Sequence, residues 1–249
     1  MVDEQIRRHC EQIDRCNQRG GRMLSVVDLI EAGTLGPDLA AYALAAIAGG
    51  ASFLVGAAPG GAGKTTVMGA LLNFVPADVP LLPADGMASI RQAAAGRDGR
   101  RCYLCHEIGA GPYYAYLWGA ELRAYFDLPA AGHMLATNLH ADTYEQARRQ
   151  ICADNAVSEQ ALRRINLMFF LSVERSRRGV ARRIEQVWES DGAGPHRLIF
   201  DRPAGQALGT SELVTDADLS RARETIEAVG ASGARRIEDV RAAILARPA

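Results

Sequence analysis

Short apolar runs alternate with longer amphipathic segments from about residue 51 to residue 173. The first run, at 51–55, is flanked by glycines and has no polar alternation, which is typical of a strand buried on both faces. Between such runs, apolar residues recur every three or four positions, as they do on one face of a helix. The pattern predicts an α/β fold with a mainly parallel central sheet flanked by helices.

The predicted elements of this part are strands at 51–55, 79–84, 102–107, 133–138 and 167–173, with helices at 37–48, 65–74, 87–95, 113–126, 143–153 and 158–164. The pattern then changes. Two apolar runs, 180–189 and 196–201, flank a turn-forming segment at 190–195 that contains Gly and Pro. This arrangement predicts an antiparallel hairpin.

Polar helical segments are predicted outside this region, at 3–18, 216–229 and 235–246. We therefore divide the chain into an N-terminal helical extension (1–22), an α/β core (23–205) and a small helical C-terminal appendage (206–249). The N-terminus does not have the basic start and apolar region of a secretory signal. The five cysteines do not suggest a disulfide framework. We expect a cytoplasmic protein.

Charge is balanced overall, with a formal net charge of −1, so composition gives no general attraction to nucleic acid. One basic residue stands apart from the others. Of the 28 Lys plus Arg residues only Lys64 is a lysine, and it is the only basic residue between Arg22 and Arg91. An ammonium is a compact point charge, whereas a guanidinium is a broad planar fork that would not fit a tight loop of backbone amides.

Lys64 lies in a glycine-rich loop between a predicted strand and a predicted helix, the context that a phosphate-binding P-loop requires. Its glycines let successive amides point inward around an anion, and the following helix adds its positive end. Lys64 would reach the β- and γ-phosphates, the Thr65 hydroxyl would bind Mg²⁺, and Thr66 would support the α-phosphate or the packing. The predicted nucleotide-binding residues of the loop are Pro59, Gly60, Gly61, Ala62, Gly63, Lys64, Thr65 and Thr66.

Hydrolysis also needs a group that orients water and one that helps to hold the metal. Glu107, at the end of the strand 102–107, is the preferred catalytic carboxylate, with a solvated glutamate as the alternative. Asp85 follows another strand and is a second candidate for the metal, although Ala84-Asp85-Gly86 is equally good turn chemistry. Asn138 ends the strand 133–138 and His140 follows it. Both are placed to sense a γ-phosphate, but a lone histidine is more often structural.

The string Cys102-Tyr103-Leu104-Cys105-His106 also matches a c-type haem attachment motif. A strand directs alternate residues to opposite faces, so cysteines three positions apart diverge. We therefore interpret these cysteines as structural.

Taken together, the motifs resemble the type II and type IV secretion ATPase family, which includes the pilus assembly and retraction motors. Beyond the P-loop, residues 97–107 resemble the family's Walker B segment, and Gly132-His133 with residues 138–141 resembles its His box. Residues 182–200 resemble its terminal hairpin, and the resemblance extends over about 26–201.

The resemblance implies a RecA-like P-loop ATPase core, ATP and Mg²⁺, and catalytic roles for Lys64, Glu107 and His140. It also implies a hexameric ring and a membrane-embedded secretion or pilus platform as partner, which would hold the protein at the inner face of the membrane. An arginine from a neighbouring subunit would complete the site. The candidates for this arginine are Arg97, Arg100, Arg101 and Arg123. The alternative is that these residues form an ordinary solvated basic face.

The chain differs from the family pattern at several places. The interval from Glu107 to Gly132 is longer and contains an aromatic segment at 113–118, and the sequence has no tetracysteine zinc module. Only about 35 to 50 residues are available where the family has a full N-terminal domain, so we interpret the chain as a compact form. The family's Gly-Glu-Ile-Arg-Asp string appears here as residues 106–110, His-Glu-Ile-Gly-Ala. Two alternative functions are a nucleotide-binding accessory subunit with little hydrolysis and a RecA-like nucleic-acid motor.

Overall fold

The computed structural model describes residues 2–17, 20–58, 60–96, 99–176, 179–205 and 207–247. In these residues an eight-stranded sheet has the order β2-β3-β5-β1-β6-β7-β8, and β4 pairs with β3. The strands are β1 Phe53–Gly56, β2 Leu81–Pro83, β3 Cys102–Ile108, β4 Tyr116–Leu117, β5 Met134–Leu139, β6 Leu167–Ser176, β7 Gly179–Glu189 and β8 Arg197–Asp201.

Helices connect the strands and cover both faces of the sheet. They are α1 Val2–Arg15, α2 Val26–Glu31, α3 Pro37–Ala48, α4 Lys64–Leu72, α5 Met87–Ala95, α6 Ala120–Asp127, α7 Tyr144–Arg148, α8 Glu159–Arg163, α9 Asp216–Ala231 and α10 Ile237–Leu245. A short 3₁₀ helix, Leu128–Ala131, follows α6, and a wider π-helical turn, Arg149–Asp154, follows α7.

The sheet is mixed and mostly parallel. Strands β2, β3, β5, β1 and β6 are parallel to one another, whereas β7 is antiparallel to both of its neighbours, β6 and β8. This confirms the predicted fold class, including the antiparallel part after residue 140 and the C-terminal helices. No helix in the described part of the chain is long and apolar enough to cross a membrane.

Alternation along the strands divides the interior into two hydrophobic cores, one on each face of the sheet. Cys102 and Leu104 of β3 lie in the core that includes α3, α4 and α9, while Tyr103 and Cys105 lie in the core that includes α5, α6 and α8. The two cysteines of the haem-like string therefore point away from each other, as the strand geometry requires.

Strand order determines where polar residues meet. β1 lies between β5 and β6, and β5 lies between β3 and β1. The parallel register pairs Gly56 with Leu139, and Leu139 with Ile108, so β1, β3 and β5 end at the same edge of the sheet. Residues that follow these strands are therefore brought together there.

The N-terminal and C-terminal helices pack on the face of the sheet that carries α4. Ile13 of α1, Val229 of α9 and Val240 of α10 are buried in the same core as Val67 and Met68 of α4. The division of the chain into an extension, a core and an appendage stays a prediction.

The predicted helix at 113–126 is wrong in its first half. Residues Tyr116–Leu117 form β4 beside the end of β3, and α6 begins only at Ala120. Ala115 has a φ of 54° and Gly119 has a φ of 59°, values that a right-handed helix does not allow. Helix α2 was not predicted, although Ser25 and Asp28 form the capping box that marks its start.

Candidate functional site

A glycine-rich loop joins the end of β1 to the start of α4. Gly61 and Gly63 have φ angles of 81° and 96°, in the left-handed region that glycine adopts at little cost. Gly63 is the N-cap of α4 and gives the helix no side-chain cap, an arrangement typical of anion-binding helix N-termini. The loop therefore has the backbone of a phosphate site; Pro59, part of the predicted set, lies outside the described residues.

Lys64 is the first residue of α4 and is only 7% exposed. Its Nζ donates a hydrogen bond to the Ala57 carbonyl at 3.1 Å and lies 3.3 Å from Nδ1 of His140. It also lies 3.8 Å from Oε2 of Glu107. The buried ammonium is thus directed to the edge of the sheet where β1, β3 and β5 end.

Glu107 is near the end of β3 and is 6% exposed. Its Oε1 is buried and has no hydrogen-bond partner among the described residues, although Nε2 of His140 is 3.8 Å away. Burial raises the pKa of the Glu107 carboxyl, and the charges of Lys64 and His140 oppose that shift. A buried carboxylate with a free oxygen and a raised pKa is suited to accept a proton from water.

His140 follows β5, and its half-exposed side chain lies between the loop and Glu107. Its Nδ1 is 2.9 Å from the Ala58 carbonyl. Asn138 is fully buried in β5 and donates from Nδ2 to the His106 carbonyl at 2.9 Å, while its Oδ1 has no partner among the described residues. His140 thus contacts the loop directly, whereas Asn138 ties β5 to β3 beside Glu107.

The remaining predicted residues differ in position. Thr65 and Thr66 occupy the first turn of α4 and are partly buried. Asp85 is exposed after β2, and its backbone amide donates to Ser89 Oγ at 3.1 Å. Because β3 and β5 separate β2 from β1, Asp85 is about 14 Å along the sheet from the strand that carries the loop. Metal binding by Thr65 and Asp85 stays a prediction.

Of the arginines considered for a neighbouring site, Arg97 lies outside the described residues. Arg100 and Arg101 precede β3, at the edge opposite the glycine-rich loop. Arg123 donates to the Asn155 carbonyl at 2.9 Å. His133, directly before β5, is also at the far edge, with Nε2 3.2 Å from the Ala93 carbonyl.

Two residues that contact the loop were not singled out from the sequence. Asp142 Oδ1 accepts a hydrogen bond from the Ala58 amide at 2.7 Å, and Arg182 donates to the Gly61 carbonyl from two nitrogens, each at 3.2 Å. Asp142 follows the predicted His box, which was a usable signal. Nothing in the linear pattern relates residue 182 to residue 61, because the contact depends on the pairing of β1, β6 and β7.

No protein-family model matches the chain, and no curated protein matches it significantly. Among solved structures, the VirB11 ATPase from the Brucella suis type IV secretion system, in complex with sulphate, is 19% identical with a TM-score of 0.44. That alignment covers 65% of this chain and 54% of the other.

Two further structures show similar values. The Legionella pneumophila ATPase DotB is 14% identical with a TM-score of 0.44, over 65% of this chain and 50% of that one. The Yersinia pseudotuberculosis ATPase DotB is 10% identical with a TM-score of 0.45, over 87% and 62%. This chain thus spans about half the length of the first two proteins, and its similarity to all three is distant.

Proposed function

We propose that this chain binds ATP with Mg²⁺ and hydrolyses it, and that the hydrolysis powers a secretion or type IV pilus-like assembly. The observation that carries the enzymatic part is the convergence of Lys64 and Glu107, 3.8 Å apart and both buried, beside the glycine-rich loop. A cation for phosphate and a carboxylate for water are the two groups that such a reaction needs from its protein.

The residues present fit a nucleoside triphosphate. The glycines at 61 and 63 adopt left-handed angles, and the start of α4 has no side-chain cap. Lys64 adds a buried positive charge at the same place. In our proposal the amides of residues 60–65 and the Lys64 ammonium bind the phosphates, and the Thr65 hydroxyl holds Mg²⁺. The metal would neutralise charge on the β- and γ-phosphates.

Glu107 is proposed to orient the attacking water and to accept its proton. The carboxyl oxygen Oε1, buried without a hydrogen-bond partner among the described residues, supports this role because it has unused accepting capacity. Burial raises the pKa of the Glu107 carboxyl towards neutral pH, and a general base is most effective when its pKa is close to the working pH. His140, within reach of both Lys64 and Glu107, is proposed to contact the γ-phosphate.

The biological role is proposed from the ordered set of motifs: the P-loop, Glu107, the segment 138–141 and the hairpin 182–200. On this proposal the chain forms a homo-oligomeric ring in the cytoplasm and acts on a membrane-embedded platform protein. Secretion or surface-pilus assembly in the source organism, measured after replacing the gene with a Glu107→Gln allele, tests this role. Full activity of that strain would contradict it.

Phosphate release from ATP by the purified chain tests the enzymatic part. We expect Mg²⁺-dependent turnover that Lys64→Ala abolishes, and we expect this variant to lose binding of a fluorescent ATP analogue as well. Tight ATP binding without turnover in any assembly state would contradict the ATPase and would favour the accessory subunit. Stimulation by DNA or RNA would instead favour a nucleic-acid motor.

A further inference from the structure

The antiparallel hairpin formed by β6 and β7 contacts the glycine-rich loop through Arg182. Nε and Nη2 of this side chain each lie 3.2 Å from the carbonyl oxygen of Gly61. Its Cδ is 3.0 Å from the point that a Cβ on Gly63 would occupy. The arginine therefore packs along the glycine-rich part of the loop and makes a two-nitrogen contact with one peptide group.

That contact determines the direction of a loop amide. The Gly61 carbonyl and the Ala62 N–H belong to one planar, trans peptide unit, so they point in opposite directions. When Arg182 fixes the carbonyl, the Ala62 N–H points away from the arginine. An anion-binding nest needs its N–H groups to converge on the anion, and rotation of this one peptide would remove a donor from it.

Glycine makes such rotation easy unless something opposes it. Gly61 and Gly63, on either side of Ala62, both have positive φ angles and few steric limits on their backbone. At the other end of the loop, Asp142 and His140 hold the Ala58 amide and carbonyl. Arg182 supplies the corresponding restraint for the glycine-rich end.

The arginine itself is held by the sheet. Arg182 pairs with Val173 of β6, and two residues later the Ile184 amide donates to the Thr34 carbonyl at 2.8 Å. Its neighbour Arg183 belongs to the opposite face of the strand and donates to Glu174 at 2.9 Å. The position of the guanidinium relative to the loop thus follows from strand pairing.

We propose that Arg182 is a positioning residue that holds the Gly61–Ala62 peptide in its phosphate-binding orientation, so that the β6–β7 hairpin controls the nucleotide affinity of the loop. The nucleotide readout rests on the proposed function. The state of the loop itself can be measured without any nucleotide.

Binding of fluorescent ATP and ADP analogues to Arg182→Ala tests the effect on affinity, with Arg183→Ala as the matched control. We expect Kd for both analogues to rise about tenfold in Arg182→Ala, the effect of losing a hydrogen bond from a charged donor. Arg183→Ala should stay within about twofold of the parent because it loses only a surface ion pair. Arg182→Lys, which keeps one donor for the same carbonyl, should recover most of the affinity.

Measuring KM and kcat separately distinguishes a positioning role of Arg182 from direct catalysis. For Arg182→Ala we expect KM for ATP to rise and kcat at saturating ATP to stay within about twofold, since binding of the ground state and of the transition state is weakened equally. A large fall in kcat with unchanged Kd would overturn the proposal, because it would place Arg182 on the reacting phosphate. Unchanged Kd in both Arg182 variants would overturn it as well.

Hydrogen exchange of the nucleotide-free protein measures how strongly Arg182 orders the glycine-rich loop. Arg182→Ala should speed amide exchange in the peptide that contains residues 60–65 and leave the β1 and β5 peptides unchanged. Equal exchange in the parent and the variant would contradict the proposal. If the parent protein binds no nucleotide, the proposed function fails, while this exchange experiment still decides whether Arg182 orders the loop.

Discussion

Nζ of Lys64 and Oε2 of Glu107 lie 3.8 Å apart at the carboxyl edge of the sheet, and both residues are less than a tenth exposed. Lys64 begins the helix after β1, and Glu107 is near the end of β3, with β5 between the two strands. Burial lowers the local dielectric, so charges at this distance affect each other more strongly than on the surface. The pair therefore couples the glycine-rich loop electrostatically to the carboxylate that is proposed to orient water.

Replacing Lys64 by arginine tests whether the loop needs an ammonium or any cation. We expect Lys64→Arg to lose at least about a hundredfold in turnover, because the planar guanidinium cannot occupy the space beside the Ala57 carbonyl. Steady-state ATPase assays measure this, with a thermal melt to confirm folding. Near-parental activity in Lys64→Arg would show that charge alone suffices and would remove the significance of the single lysine.

Glu107→Gln keeps the size of the side chain and removes its basicity. We expect turnover to fall about 10²- to 10⁴-fold, the usual contribution of a general base, while ATP binding is retained. Single-turnover hydrolysis and equilibrium binding separate these two quantities. The exposed Glu227→Gln serves as control and should hydrolyse ATP like the parent. Equal loss in both variants, or no loss in Glu107→Gln, would exclude the assigned role.

Arg241 of α10 binds the segment that follows the end of α4. Its side chain is 2% exposed, and Nη1 donates to the Asn73 and Val75 carbonyls, each at 2.8 Å. Burial lowers its pKa to about 10, so the guanidinium stays charged at neutral pH. Arg241→Ala leaves these buried carbonyls without their donor and should lower the free energy of unfolding by about 3–5 kcal/mol.

Urea unfolding measures the effect of Arg241→Ala, and the exposed Arg247→Ala is its control. The control should change the free energy of unfolding by no more than about 0.5 kcal/mol. If both variants unfold at the parental urea concentration, Arg241 does not anchor the helix.

His9 makes folding stability depend on pH. Its Nε2 donates to the Leu72 carbonyl at 2.9 Å, and burial, reinforced by the charge of Arg241, lowers its pKa from 6.5 to about 3. Between these two values the unfolded chain binds a proton that the folded chain does not. The free energy of unfolding therefore falls as pH falls from 6.5 towards 3, by about 2 kcal/mol for this group on reaching pH 5.

His9→Asn keeps a donor for Leu72 and removes the titrating group. Urea unfolding at pH 7.5 and at pH 5 should show a loss of stability on acidification that is about 2 kcal/mol smaller in the variant than in the parent. Other histidines whose pKa burial lowers, His106 and His196, contribute equally to both proteins. Identical pH dependence of the two proteins would contradict a buried, neutral His9.

Local sequence determined most of the elements. Helix α3 and helix α5 have the predicted bounds, because proline begins the first and glycines flank the second. Apolar runs without polar alternation identified the central strands, because the side chains of these strands are buried on both faces of the sheet. The aromatic segment before α6 was misassigned because the positive φ of Ala115 and the pairing of β4 with β3 are decided by tertiary context.

For the candidate site, the sequence by itself determined the glycine-rich loop, its single lysine and a carboxylate at a strand end, since each depends on residues that are close in the chain. Only the tertiary structure decided that Lys64, Glu107 and His140 meet, that Asp85 lies three strands away, and that Arg182 touches the loop. These relationships depend on strand order and register, which arise from the packing of the whole sheet and leave no local pattern in the sequence.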